Sequence, residues 1–520
     1  MTRRRIIYAS ISLFFAVTVI IPIVSMLSRI SKGGLVSVLS SAQFKTATIN
    51  SVYTAIIATV ISLTIALVAA WCLERTAIKF KELFAIVFVV PMLIPSISHA
   101  FGLVALFGAN GLVTNLLNLE GGIYGPIGII VGSVIYSFPV AFLMFSSILQ
   151  YEDGLPYKAA EVLGVSPIHR FFDITLPYLK NTIISAFFAV FTMIVTDYGV
   201  PLMIGGKTIT LSVLMYTKAV AMIDYDSGSV IGAVLLLPAI VAFIVDLLNP
   251  EGGQSSFVSE PIKPKKNKKD IISYLICIVL CILIVAPIVA FLVMVFETKY
   301  PVNPTFTLYH IEKTLNRGAG EYLVNSLIYA VLTALFGTLL AFVCSYMTAR
   351  VKDSFSNVLH LVSLTSMAIP GIVLGLSYVI FFSKTNIYGT ILIVVLVNSI
   401  HFFASPYLMM YNTLRKLNPN LEAVGSTLGI GKLRIIKDVI IPKVSVTLSE
   451  MFTYFFVNSM MTISAVSFLA PPAPKPVALM INQFEAQLLM ESAAFVSLMI
   501  LAVNVVVKGI LFVVKKKYGD

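Results

Sequence analysis

The chain has 520 residues, of which 58% are hydrophobic and 12% charged, with a formal net charge of +12 and a mean hydropathy of +0.97. These proportions exclude a water-soluble core and make the bilayer the solvent. Long apolar runs without strict alternation also exclude a membrane β-barrel, so each spanning segment must satisfy its backbone within a helix.

At about 1.5 Å per residue, about 20 apolar residues cross a hydrocarbon layer of roughly 30 Å. In chain order, twelve stretches reach that length: 6–27, 49–72, 83–107, 126–149, 181–204 and 229–248, then 271–296, 323–348, 357–382, 389–412, 446–470 and 491–514. The first follows Arg3-Arg4-Arg5 but is too long for a signal peptide and lacks a small-residue cleavage site, so it is expected to be a retained span. Between the sixth and seventh stretches, residues 249–270 are rich in Pro, Gly, Ser and Lys and read as a flexible linker.

An even number of spans starting inside places 26 Lys and Arg in cytoplasmic loops against 10 outside. That asymmetry predicts a multi-pass protein of the cell membrane with both termini in the cytoplasm. The basic excess is then topogenic, and no nucleic-acid partner is needed to explain it. The run Lys263, Lys265, Lys266, Lys268 and Lys269 is expected to face anionic lipid.

The two halves repeat. Asn50-Ser51 matches Asn325-Ser326, Arg75 matches Arg350 and Pro95 matches Pro370, all at an offset of 275. Beyond the Gly/Asn-rich stretch 108–125 the offset falls to about 265. The expected fold is an all-α polytopic membrane protein of two tandem six-helix repeats, related by a pseudo-two-fold axis along the membrane normal. The expected divisions are 1–250, a basic cytoplasmic linker 251–270, and 271–520.

One loop is duplicated most clearly. Ala159-Ala160-Glu161-Val162-Leu163-Gly164 runs on to Ile174-Thr175-Leu176-Pro177; in the second half Glu422-Ala423-Val424-Gly425-Ser426-Thr427-Leu428-Gly429 runs on to Val439-Ile440-Ile441-Pro442. Proline lies thirteen positions after glycine in both. Each copy predicts a helix, a left-handed glycine turn and a second helix stopped by proline, with Ser166-Pro167 as an N-cap and first-turn proline in the first copy.

Other candidates are sparser. Asp197, at the end of a span, either lines a pathway or caps local structure. His99 and His401 could meet a metal ion or be packed and hydrogen-bonded, and neither has an i,i+4 ligand partner. The four cysteines read as buried small hydrophobes. Pro91, Pro95 and Pro370 either break helices around a pore or kink them. Gly205-Gly206-Lys207-Thr208 mimics the end of a phosphate loop, but Pro201 stands where its first glycine is required. Any ATPase must then be another chain.

The duplicated loops resemble those of the membrane subunits of ATP-binding-cassette importers, whose pattern reads E-A-A, three residues, G, nine residues, I-x-L-P. Lys158 replaces the acid in the first copy, and Glu422 lies one residue outward in the second. The resemblance implies coupling helices at 155–163 and 420–428, seated in two separate nucleotide-binding ATPase subunits. Ala159, Ala160, Glu161, Gly164, Leu176 and Pro177 would form the first coupling loop, and Glu422, Ala423, Gly429, Ile441 and Pro442 the second. ATP and Mg would be bound by those partners, so no catalytic residue or cofactor is expected in this chain. An external substrate-binding protein would deliver the cargo.

Within that family the chain resembles fused permeases of the ferric-iron type, on the strings Ala368-Ile369-Pro370-Gly371-Ile372-Val373-Leu374-Gly375-Leu376, Thr196-Asp197-Tyr198-Gly199-Val200-Pro201, and Ile463-Ser464-Ala465 followed by Pro471-Pro472. Asp197, Tyr198, Pro370, Gly371 and Ser464 are then candidates for the translocation pathway. Ferric iron is the cargo this implies, with thiamine, phosphonate or polyamine as alternatives. An ion-coupled secondary transporter remains a rival of another class, although the spans are nearly devoid of coupling acids. A membrane enzyme would need a nucleophile–base or metal constellation that the sequence does not display.

Overall fold

The computed structural model describes residues 2–118, 122–248, 260, 262, 264, 270–351, 354–469 and 475–518. Lys263, Lys265, Lys266, Lys268 and Lys269, and Pro471-Pro472, lie outside the described residues. Nine helices among them are long and apolar enough to cross a bilayer: Tyr8–Ser28, Ala42–Arg75, Ser96–Leu117, Pro126–Gln150, Pro167–Thr196, Tyr225–Val245, Asp270–Phe296, Ala319–Ala349 and Met490–Lys517. Three bent pairs bring the total to twelve if each is one span. The protein is therefore a multi-pass, almost wholly helical membrane protein. Its one described departure is a hairpin of Glu297–Lys299 with Asn303–Phe306.

Three of the twelve expected stretches fall on bent pairs. Phe355–Ala368 turns through 104° into Gly371–Phe382, Ile391–His401 through 55° into Ala404–Lys416, and Lys432–Lys443 through 77° into Ser445–Met461. At the first break Pro370 has extended backbone, φ −60° and ψ 143°, and precedes Gly371 as the cap of the next helix. Pro95 does the same before Ser96–Phe107, with φ −57° and ψ 149°, so the stretch 83–107 is divided as well. Proline lacks an N–H and forces its predecessor out of helical backbone, so hydropathy runs on where the helix axis cannot.

The chain divides into two compact units that mix segments of the halves. One holds Met1–Val38, Met215–Leu236 and Ile311–Asp520; the other holds Leu39–Leu214 and Leu237–His310. Each half's opening span thus packs with the body of the opposite half. In the first unit the Tyr8 hydroxyl donates to the Met347 carbonyl at 3.0 Å and the Tyr378 hydroxyl to the Thr18 carbonyl at 2.7 Å. In the second, Gly102 lies so close to Pro287 that an added Cβ would come within 2.4 Å of the proline Cβ.

Small residues allow the helix crossings. Ala42–Arg75 buries a face that includes Ala55, Ala58, Thr59, Ser62, Ala66 and Ala69. It packs on Pro126–Gln150, where Ser137 donates to Ser62 at 3.0 Å. At Gly337, the position matching Ser62, the Phe455 ring occupies the space, and a Cβ there would meet it at 2.7 Å. Lipid tails are as apolar as the side chains, so close backbone approach and polar pairing hold such helices together.

Candidate functional site

Each duplicated loop is built the same way. In the first copy the helix Leu155–Val162 ends at Gly164, whose φ is +71°. The Gly164 amide donates to Glu161 at 3.0 Å and the Val165 amide to Ala160 at 2.9 Å. In the second copy Leu421–Thr427 ends at Gly429, φ +69°, with Gly429 donating to Ser426 at 3.2 Å and Ile430 to Gly425 at 2.8 Å. This paired bonding is a Schellman turn, which needs a left-handed residue that glycine supplies without strain.

The second short helix differs from expectation. Ser166 caps Pro167–Arg170 by accepting from the His169 amide, while Gly431 occupies the corresponding place before Lys432–Ile435 without a side-chain cap. The first helix does not stop at its proline, whereas the second ends one residue past Pro442. Each first widens into a π-type turn, Phe171–Thr175 or Ile436–Ile440, closed by Leu176 bonding to Phe171 and Ile441 to Ile436. The wider turn lets Pro177 and Pro442 enter the next helical segment where their missing N–H is not required. After Pro177 the helix runs on to Thr196, whereas after Pro442 it ends at Lys443 and the axis bends.

Large apolar side chains stand out of these loops. Leu163 and Ile168 are 79% and 70% exposed, and their matches Leu428 and Leu433 are 69% and 83% exposed. Behind them Ala160 is buried, and Gly425 sits against Ile435, where an added Cβ would meet Cδ1 at 2.1 Å. Arg170 ties the first copy together by donating to the Val165 carbonyl at 2.8 Å and pairing with Glu161 at 3.6 Å.

The acids of the two copies are placed differently. Lys158, where the E-A-A pattern has its carboxylate, pairs with Glu260 from the linker. The same linker residue accepts from the Gly154 amide at 2.8 Å and donates its own to Asp153 at 3.2 Å. Glu422 does not face solvent. Arg350 donates to it through Nε at 2.8 Å and Nη2 at 2.5 Å, and the Tyr346 hydroxyl approaches at 3.5 Å. Burial disfavours the charged form of Glu422, but the hydrogen bond from Arg350 and its charge outweigh that and hold the carboxyl below its ordinary value. In the first copy the matching Arg75 pairs with Glu152, to which Tyr157 donates at 2.6 Å. Sequence reading matched the two arginines but not these acids, because Glu152 and Glu422 are not at repeat-related positions.

The five pathway candidates fall into two clusters, one in each unit. In one, Ser96 donates to Asp197 Oδ1 at 2.6 Å, the Val200 amide donates to Oδ2 at 3.0 Å, and Ser212 donates to the Asp197 carbonyl at 2.7 Å. Asp197 therefore caps the helix Gly199–Ile204, with Tyr198 buried beside it. In the other, Gly371, which follows Pro370, lies against Ser464 and His401; an added Cβ on Gly371 would lie 2.6 Å from the Ser464 hydroxyl and 2.8 Å from His401 Nε2. The repeat offsets match Ser96 to Gly371 and Gly199 to Ser464. At Gly199 an added Cβ would lie 2.6 Å from the Ser96 hydroxyl. Serine and glycine have thus exchanged sides of the same crossing.

The remaining candidates are packed. His99 Nε2 lies 3.1 Å from the Pro91 carbonyl. Among the described residues no three His, Cys, Asp or Glu side chains converge as a metal site. Gly206, φ +56°, makes a tight turn after Gly199–Ile204, with Thr208 bonding to Gly205 at 2.8 Å. Cys72 and Cys277, far apart in sequence, are brought into side-chain contact.

Comparison with known proteins fits this duplicated architecture. The sequence profile of the binding-protein-dependent transport system inner membrane component matches residues 63–251 and again 334–519. The ferric transport system permease protein FbpB of Actinobacillus pleuropneumoniae is 26% identical over 466 residues, covering 85% of this chain and 65% of that protein. FbpB 1 of Haemophilus influenzae is 25% identical over 443 residues, covering 80% and 68%. A spermidine/putrescine permease PotC homolog of Mycoplasma genitalium is 30% identical over 179 residues, covering 34% and 61%. The chain spans about two thirds of the length of the two ferric permeases it matches. With both halves matched, the chain belongs to the family of binding-protein-dependent transport system inner membrane components.

Proposed function

We propose that this chain is the permease of an ATP-driven importer, in which 155–163 and 420–428 dock into two separate ATPase subunits on the cytoplasmic side. ATP and Mg are bound by those subunits, and an external binding protein delivers the cargo. Both termini are cytoplasmic, in keeping with the inward bias of Lys and Arg. The observation that carries the reading is the repeated knuckle: Leu163 and Ile168, then Leu428 and Leu433, held outward by matching Schellman turns. Burying each such side chain against a partner is worth about 2 kcal/mol, and rigid presentation keeps the ordering cost low. The remaining loop candidates, Ala159, Glu161, Leu176, Pro177, Ala423, Ile441 and Pro442, frame these knuckles.

Ferric iron is the cargo best supported, because the two relatives named as ferric permeases align along most of the chain. Polyamine is the second reading, on a relative aligned over a third of it. Asp197 and Tyr198 in one unit, and Pro370, Gly371 and Ser464 in the other, are then the residues proposed for translocation, each group at the matched crossing within its own unit. The test is uptake into proteoliposomes holding the chain with its ATPase and binding protein. Radioactive ferric iron should enter only when ATP is supplied on the face bearing the loops. Uptake driven by an ion gradient without ATP, or labelling of the loops from the opposite face, would overturn the reading.

A further inference from the structure

Docking explains where force enters, and the geometry points to the groups that pass it on: we propose that Arg75–Glu152 and Arg350–Glu422 are positioning pairs that lock each loop to the end of the longest helix of its half. The inference rests on the function proposed above. Arg75 is the last residue of Ala42–Arg75, and Arg350 directly follows Ala319–Ala349. A displacement of either loop must move such a helix if the junction is stiff.

The junctions are stiff for a physical reason. The Arg75 and Glu152 side chains are 8% and 3% exposed, and those of Arg350 and Glu422 are 5% and 18% exposed. Exposed ion pairs shift and exchange with water, whereas a desolvated pair holds its geometry because separation would strand a charge. Each pair also gathers a third element. Tyr157 donates to Glu152 at 2.6 Å and lies 2.5 Å from the Thr175 hydroxyl, joining the loop helix to the turn before the next span. Arg350 also donates to the carbonyls of Leu417 at 3.0 Å and Asn418 at 2.7 Å, gripping the strand of chain that enters the loop.

The two halves reach this junction by different sequences. By the repeat offset Glu422 matches Tyr157, and Glu152 matches Leu417. The arginine keeps its place while its carboxylate comes from another position, so the halves share the junction itself and not a residue pattern.

The experiment uses the reconstituted complex of chain, ATPase and binding protein, and reads ferric iron taken up per ATP hydrolysed. Arg75→Glu and Glu152→Gln should each lower that ratio by about tenfold, within the range for changes along a coupling route. The exchanged pair, Arg75→Glu with Glu152→Arg, should restore it. Arg350→Glu and its exchange with Glu422→Arg should behave alike. If Arg75→Glu fails to insert, Glu152→Gln and the exchanged pair still decide the matter. A wild-type ratio in Glu152→Gln would overturn the inference, as would an exchanged pair that recovers folded protein but not the ratio. A wild-type complex that takes up iron without ATP would instead overturn the underlying function.

Discussion

Replacing Gly164 or Gly429 with valine isolates backbone strain from every other effect. Both glycines have φ near +70°. An added Cβ meets nothing within 4 Å at either position. The cost is therefore conformational: a β-branched residue held in the left-handed region loses about 1–3 kcal/mol. At about 2 kcal/mol the native turn is disfavoured roughly thirtyfold against an alternative, which tilts the knuckle and releases the bonds Val165 to Ala160 or Ile430 to Gly425. The spans lie elsewhere, so insertion and yield should be unchanged while the proposed iron uptake per ATP falls in proteoliposomes. Asparagine, which tolerates the left-handed region, should be nearly silent. Gly425 offers a contrast, since there the demand is for space. Gly425→Ala should be rescued by Ile435→Ala, and Gly429→Val should not. Normal coupled uptake in both valine variants would refute the reasoning. Asparagine as harmful as valine would show that bulk, not strain, is at fault.

Three further outcomes follow from named contacts. Asp197→Ala should cost about 1–2 kcal/mol, read as a lower melting temperature in detergent, because it strands the Ser96 hydroxyl and the Val200 amide; lost uptake at unchanged stability would instead assign the acid to transport. Glu422 lies below its ordinary 4.5 in the folded protein, so its pairing contributes fully above about pH 4.5 and is lost as pH falls below it; acid-induced unfolding should show that step in the parent and lack it in Glu422→Gln. Cys72 and Cys277 touch in one unit, so copper phenanthroline should join the halves of a chain cut within 251–259, giving a reducible full-length band, and Cys277→Ser should abolish it.

The duplicated loop was legible because its signals are local. A left-handed turn selects glycine and, in the first copy, a helix start selects Ser-Pro; the bounds 155–163 and 420–428 that the family resemblance implies lie within a residue or two of the observed helices. The π-type turns were not legible, because Pro177 and Pro442 announce a missing N–H without saying whether the helix stops or widens around it. Asp197 was ambiguous for a similar reason: a carboxylate at a span end looks the same in sequence whether it caps or conducts, and its geometry depends in part on Ser96, about a hundred residues away.

Sequence alone determined the membrane class, the two-fold repeat and the knuckles, since apolar length and turn chemistry are properties of neighbouring residues. Tertiary structure decided which opening span packs with which half, where Pro95 and Pro370 divide a span, and which carboxylate answers each arginine. Those choices depend on close approach between distant segments, where a glycine opposite a serine or a buried charge opposite another fixes the fit. Hydropathy carries no record of such partners.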